Sequence, residues 1–129
     1  MKFKTPSLRT ELECLPPLLR LIIEEFERAS LEIANVEPVV TRIFGRIDGD
    51  SGVHSQYRAI DFRDEYDGRF LYTKDQRETL IERIESKFPR GDKKPTIIWH
   101  SFKEAPYHFH VQTSFNPHVY ASMLQPRFP

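Results

Sequence analysis

The stretch YHFHVQT, residues 107–113, alternates two kinds of side chain: Tyr107, Phe109 and Val111 are apolar, and His108, His110 and Gln112 between them are polar. Successive strand residues point to opposite faces, so the pattern predicts a strand with one face on a core and the other carrying two imidazoles and an amide. Ordinary alternation accounts for such a strand as half of an antiparallel pair whose polar face meets solvent. Partners for it are readable nearby. Thr96 to Phe102 is β-rich and separated from it by Lys103-Glu104-Ala105-Pro106, while Val39 to Phe44 and Tyr57 to Arg63 are short β-rich runs bounded by turn residues.

The covering layer is helical. Leu15, Leu18, Leu19, Ile22, Ile23 and Phe26 recur at helical spacing, with Arg20, Glu24, Glu25, Glu27 and Arg28 on the other face, which predicts a helix over about 15–30 with Pro17 in its first turn. A second helix is expected from about Lys74 to Phe88. Thr73 and Gln76 have capping-box spacing, Leu80, Ile81, Ile84 and Phe88 form the apolar stripe, and Pro89-Arg90-Gly91 ends it. The expected class is α+β: a small, mostly antiparallel sheet with helices packed on one face. A chain of 129 residues fits a single domain over 1–129, with the motif-bearing core at about 39–113 and a proline-containing segment, 114–129, wrapping the surface.

Composition narrows the function. The 19 basic and 19 acidic residues cancel, which argues against capture of a polyanion such as nucleic acid. The lone Cys14 excludes an internal disulfide and a cysteine-rich zinc site, so any metal falls to His and carboxylate side chains. No run is apolar enough for a membrane span or a secretory signal, which places the expected product in the cytoplasm, so that a substrate outside the membrane would need another route of delivery.

Asp61 stands between Ile60 and Phe62, and a carboxylate in an apolar run needs a partner. Two readings are open. Arg58, Arg63 or Arg46 could pair with it as an ordinary ion pair, or Asp61 could join His54, from the turn Ser51-Gly52-Val53-His54, and a histidine of the later strand as a three-ligand zinc site. Arg42, in mid-strand, reads as structural, His100 as a residue of the sheet surface, His118 as a solvated loop residue, Trp99 and Tyr107 as packing, and Arg63-Asp64-Glu65-Tyr66-Asp67 as a solvated loop.

The pattern G-x-H-x-x-x-x-A-x-D from Gly52 to Asp61, followed by H-x-H at His108 to His110, resembles the zinc D-alanyl-D-alanine carboxypeptidase family. That group includes phage endolysins that cut peptidoglycan stem peptides and shares its fold with the hedgehog signalling domain. The family pattern is S-x-H-x-x-G-x-A-x-D with a later H-x-H or E-x-x-H. The resemblance implies Zn2+ held by His54, Asp61 and His110, with His108 beside the metal as general base or stabiliser of the developing oxyanion. It implies Arg46 as the clamp on a substrate carboxylate or on the tetrahedral intermediate. Gly52 stands where the family has serine, Tyr57 where it has glycine, and Tyr107 where many members have glutamate. With Tyr107 there, the base is either His108 or Glu104 from the preceding loop. The function so implied is a peptidoglycan carboxypeptidase or endopeptidase; the alternative is a catalytically silent zinc-binding module with a structural role.

Overall fold

The computed structural model describes residues 1–43, 58–103 and 105–114. Strand β1 (Lys2–Phe3) and helix α1 (Ser7–Leu12) lead into the long helix α2 (Pro17–Ala34), then β2 (Val39–Arg42) and β3 (Ala59–Arg63). A small hairpin of β4 (Glu65–Tyr66) and β5 (Arg69–Phe70) comes next, then α3 (Lys74–Lys87), β6 (Ile97–Phe102) and β7 (Ala105–Gln112). The main sheet has the order β1-β2-β3-β7-β6. Every pairing in it is antiparallel except that of β1 with β2. The α+β expectation holds, and the parallel edge strand makes the sheet mixed.

Local chemistry explains the helices. Pro16 and Pro17 open α2 at positions where an amide hydrogen has no intrahelical partner, and Asn35, left-handed at φ 53°, closes it, its amide donating to the carbonyl of Leu31 and the Val36 amide to that of Ser30. Thr73 caps α3 through the full capping box expected with Gln76. Between β4 and β5, Asp67 and Gly68 both have positive φ, the backbone of a two-residue hairpin turn. That dipeptide was the available signal for a hairpin where a solvated loop was expected.

The core lies between one face of the sheet and the helices. Phe26 of α2 stacks on Phe62 of β3 at 4.1 Å and meets the edge of Phe109 of β7 at 5.5 Å. Val40, Ile60, Val111, Leu80 and Ile84 join the same cluster. Glu25, buried on α2, accepts from Arg83 and Lys87 of α3, so a charged clasp fixes the two helices side by side. Among the described residues no helix is long and apolar enough to cross a membrane.

One irregularity decides the opposite face. Val40 pairs with Phe62, but two residues on Arg42 pairs with Asp61, so β2 carries one extra residue in a bulge. A bulge reverses the facing of the strand residues beyond it. Arg42, which an unbroken register would set opposite Ile60, instead lies beside Asp61.

Candidate functional site

The polar face of β3 and β7 is built by register. Asp61 is directly opposite His110, and His108 lies between Arg63 of β3 and His100 of β6. Asp61, His108 and His110 are all buried, although the strand pattern alone put the histidine face towards solvent. The structure therefore brings together Asp61, His108 and His110 of the expected site. His54, Arg46 and Glu104 lie outside the described residues.

Among the described residues the cation on Asp61 is Arg42, not Arg58 or Arg63; Arg46, the third that was expected, lies outside them. Asp61 Oδ2 accepts from Arg42 Nε at 3.1 Å, whereas Arg58 donates to the carbonyl of Thr113 and Arg63 lies over the ring of Tyr66. The bulge is the reason, and a register shift leaves no mark in composition or periodicity. His100 departs from expectation too. It is half-buried, with its ring 4.7 Å from that of His108 and 5.4 Å from that of His110.

Hydrogen bonding fixes the tautomers of both strand histidines. Gln112 donates through Nε2 to the carbonyl of Pro95, which turns its Oε1 to His110 Nε2 at 3.0 Å. His110 must therefore carry a proton on Nε2. Its other nitrogen, Nδ1, faces Asp61 Oδ1 at 2.9 Å. With Nε2 protonated, two acceptors confront each other there unless a proton or a metal cation sits between them. His108 has the converse arrangement. Its Nδ1 lies 2.8 Å from the carbonyl of Pro106, which requires Nδ1–H, so Nε2 is the lone pair. That atom is buried without a hydrogen-bond partner among the described residues, 3.6 Å from Asp61 Oδ2. Burial pushes the pKa of His108 down, and it pushes His100 down to about 4 with help from the neighbouring His108 and His110. Both rings are therefore neutral at neutral pH.

A cleft of about 300 Å³ opens onto Asp61 and His108, bordered by Lys4, Arg42, Arg63, Glu65, Tyr66 and Tyr107. Tyr107, at the position where the resembling family often has glutamate, stacks on Trp99 at 4.0 Å and gives the cleft no carboxylate. Glu65 approaches it from β4, its Oε1 accepting from the Tyr107 amide at 3.2 Å.

A second buried carboxylate stands close by. Asp64, expected in a solvated loop, is fully buried and accepts from the Tyr72 amide at 3.1 Å, Arg77 Nε at 2.8 Å and Trp99 Nε1 at 2.8 Å. The Arg77 guanidinium also lies 4.1 Å over the Trp99 ring, whose other face carries Tyr107. Burial pushes the Tyr72 phenol up to about 12, so it stays a neutral donor to Ser30 Oγ. Asp64 is a structural hub and takes no part in the cleft.

No protein-family model, curated protein or solved structure matches the chain. Whether a metal fits is a question for the donors themselves. Among the described residues no group of three or more His, Cys, Asp or Glu side chains is placed to hold a metal ion. Two of the three expected ligands are in direct contact, Asp61 Oδ1 and His110 Nδ1 at 2.9 Å, and Gln112 holds the ring in the tautomer that leaves Nδ1 without its own proton. That donor chemistry suits a zinc ion completed by a further ligand.

Proposed function

We propose that this chain is a zinc-dependent peptidase of the hedgehog and D-alanyl-D-alanine carboxypeptidase type, acting on peptidoglycan stem peptides. The observation that supports it is the Asp61–His110 contact: a carboxylate oxygen and an imidazole nitrogen at 2.9 Å, with the opposite nitrogen committed to Gln112. Asp61 and His110 would hold the metal together with His54, as the resemblance implies. When bound, zinc supplies Lewis-acid polarisation of the scissile carbonyl.

The remaining chemistry falls to the protein. His108 Nε2 is a buried, neutral base at the edge of the cleft, oriented by the Pro106 carbonyl. It takes a proton from the water that attacks the carbonyl carbon and passes it to the leaving amine nitrogen as the C–N bond breaks. Tyr107 supplies no acid here, so His108 rather than a glutamate at 107 carries proton transfer. A second reading, a catalytically silent module, is favoured by the same short contact if a proton fills it. The Asp61–His110 contact would then be an ordinary hydrogen bond and would need no metal.

Zinc analysis and peptide cleavage separate the readings. Purified protein should carry about one equivalent of zinc or take it up on addition. Zinc-replete protein should release a fragment from muropeptides by mass spectrometry. His108→Ala should lower kcat/KM by about 10²–10⁴-fold while the zinc stays bound. Less than half an equivalent with no uptake would sink the metal site, and equal loss of zinc in His108→Ala would make His108 a ligand instead of the base.

A further inference from the structure

We propose that His100 of β6 and His108 of β7 form a second cation site, in which the two Nε2 atoms bind a borderline divalent transition ion, Zn2+, Ni2+ or Cu2+, supplied in excess. The site stands on the placement of the two imidazoles; its effect on turnover rests on the peptidase reading above. His100 and His108 are direct partners in the β6–β7 register, and their rings lie 4.7 Å apart, inclined at 62°. Two imidazoles on one tetrahedral ion, with bonds of about 2.0 Å, put their ring centres about 5 Å apart. The strand pair therefore already holds the two rings at a chelating separation.

Both donors are available. His108 is only 4% exposed, its Nδ1 is committed to the Pro106 carbonyl, and its Nε2 has no hydrogen-bond partner among the described residues. His100 Nε2 is likewise buried without a partner there. Buried polar atoms are seldom left so, and two of them on adjacent strands are answered together by one ion. His110 takes no part, since Asp61 and Gln112 hold its two nitrogens. Asp61 Oδ2, 3.6 Å from His108 Nε2, adds a negative charge that favours a cation, offset in part by Arg42 on the same oxygen. Imidazole ligands suit Zn2+, Ni2+ and Cu2+, whereas Mg2+ and Ca2+ take oxygen. With no carboxylate ligand of its own, the pair fills after the site at Asp61 and His110. His108 Nε2 is also the proposed base, so an ion bound there removes the lone pair that accepts the proton, and excess zinc should slow cleavage.

The test titrates Zn2+ into the full chain, with equilibrium dialysis for binding and long-range 1H–15N spectra for the imidazole nitrogens. Excess zinc should shift the Nε2 resonances of His100 and His108 together, and Mg2+ at the same concentration should move neither. His100→Phe, which keeps a ring in place, should weaken this class of bound zinc by about tenfold or more and leave the class that His110→Asn removes. His100→Gln should do the same, and circular dichroism melts confirm that each variant is folded. In a wild type that cleaves muropeptides, inhibition should need about tenfold more zinc after His100→Phe. No joint shift, an equal response to Mg2+, or zinc binding unchanged by both His100 variants overturns the site. Failure of the wild type to cleave, or absence of the zinc class removed by His110→Asn, strikes the peptidase reading instead and leaves the His100–His108 site to be judged by its own resonances.

Discussion

Asp61 and Asp64 are both buried, at 3% and 0% exposure, and they are held in different ways. Asp64 is saturated by an amide, a guanidinium and an indole, each a donor within 3.1 Å, and every donor comes from an element that the carboxylate ties down. Asp61 shares its oxygens with Arg42 and His110, and beside it the Nε2 atoms of His108 and His100 are buried without hydrogen-bond partners among the described residues. A folded protein rarely leaves such atoms unanswered, because each costs about 1–3 kcal/mol when its partner is missing. A satisfied hub is what stability requires. A cluster that leaves His108 Nε2 without a partner among the described residues, at the edge of a cleft, is what a ligand or a reaction requires.

The contrast can be broken first by removing each carboxylate. Asp64→Ala strands Arg77 and the Trp99 N–H in the interior and should cost about 3–5 kcal/mol in a urea denaturation. Asp61→Ala in the zinc-free protein should cost less, about 1–3 kcal/mol, because its cluster borders the cleft and water can enter. Equal losses would mean that Asp61 is a structural hub like Asp64. Next in size is Gln112→Leu, which frees His110 to adopt the other tautomer. Zinc affinity should fall by about 10–100-fold in a competition titration against a chelator, with the fold intact by circular dichroism. An unchanged affinity would detach Gln112 from the site.

The smallest effect is in pH dependence. His100 and His108 have native pKa values below the unfolded value of about 6.5, His100 at about 4. A histidine with a depressed native pKa protonates first in the unfolded chain. Stability is therefore whole above pH of about 6.5 and is lost as pH falls from there towards about 4. His100→Phe removes one of these protons and should flatten that decline in melts taken across the window. A slope identical to that of the wild type would mean that His100 does not titrate in it.

Much of the scaffold was legible because it is written in local periodicity. The 107–113 alternation, the α2 stripe and the Thr73–Gln76 box each depend on neighbours within a turn or a pleat, and each appears where expected. Asp61, His108 and His110 were legible as candidates through their spacing. The hairpin at Asp67-Gly68 was legible too, although its residues read as a loop. Arg42 was not, since its place beside Asp61 depends on one extra residue in β2. Nor was Asp64, whose donors at Tyr72, Arg77 and Trp99 come from distant parts of the chain.

By itself, then, the sequence determined the α+β class, the existence of the two long helices, the first of which runs on to Ala34 where about residue 30 was expected, and the residue types able to carry metal and proton chemistry. Only the tertiary structure decided which cation meets which carboxylate, which histidine nitrogens keep a lone pair, and which face is buried. Those are matters of register and long-range contact, where a one-residue slip exchanges the faces of a strand without altering its local pattern.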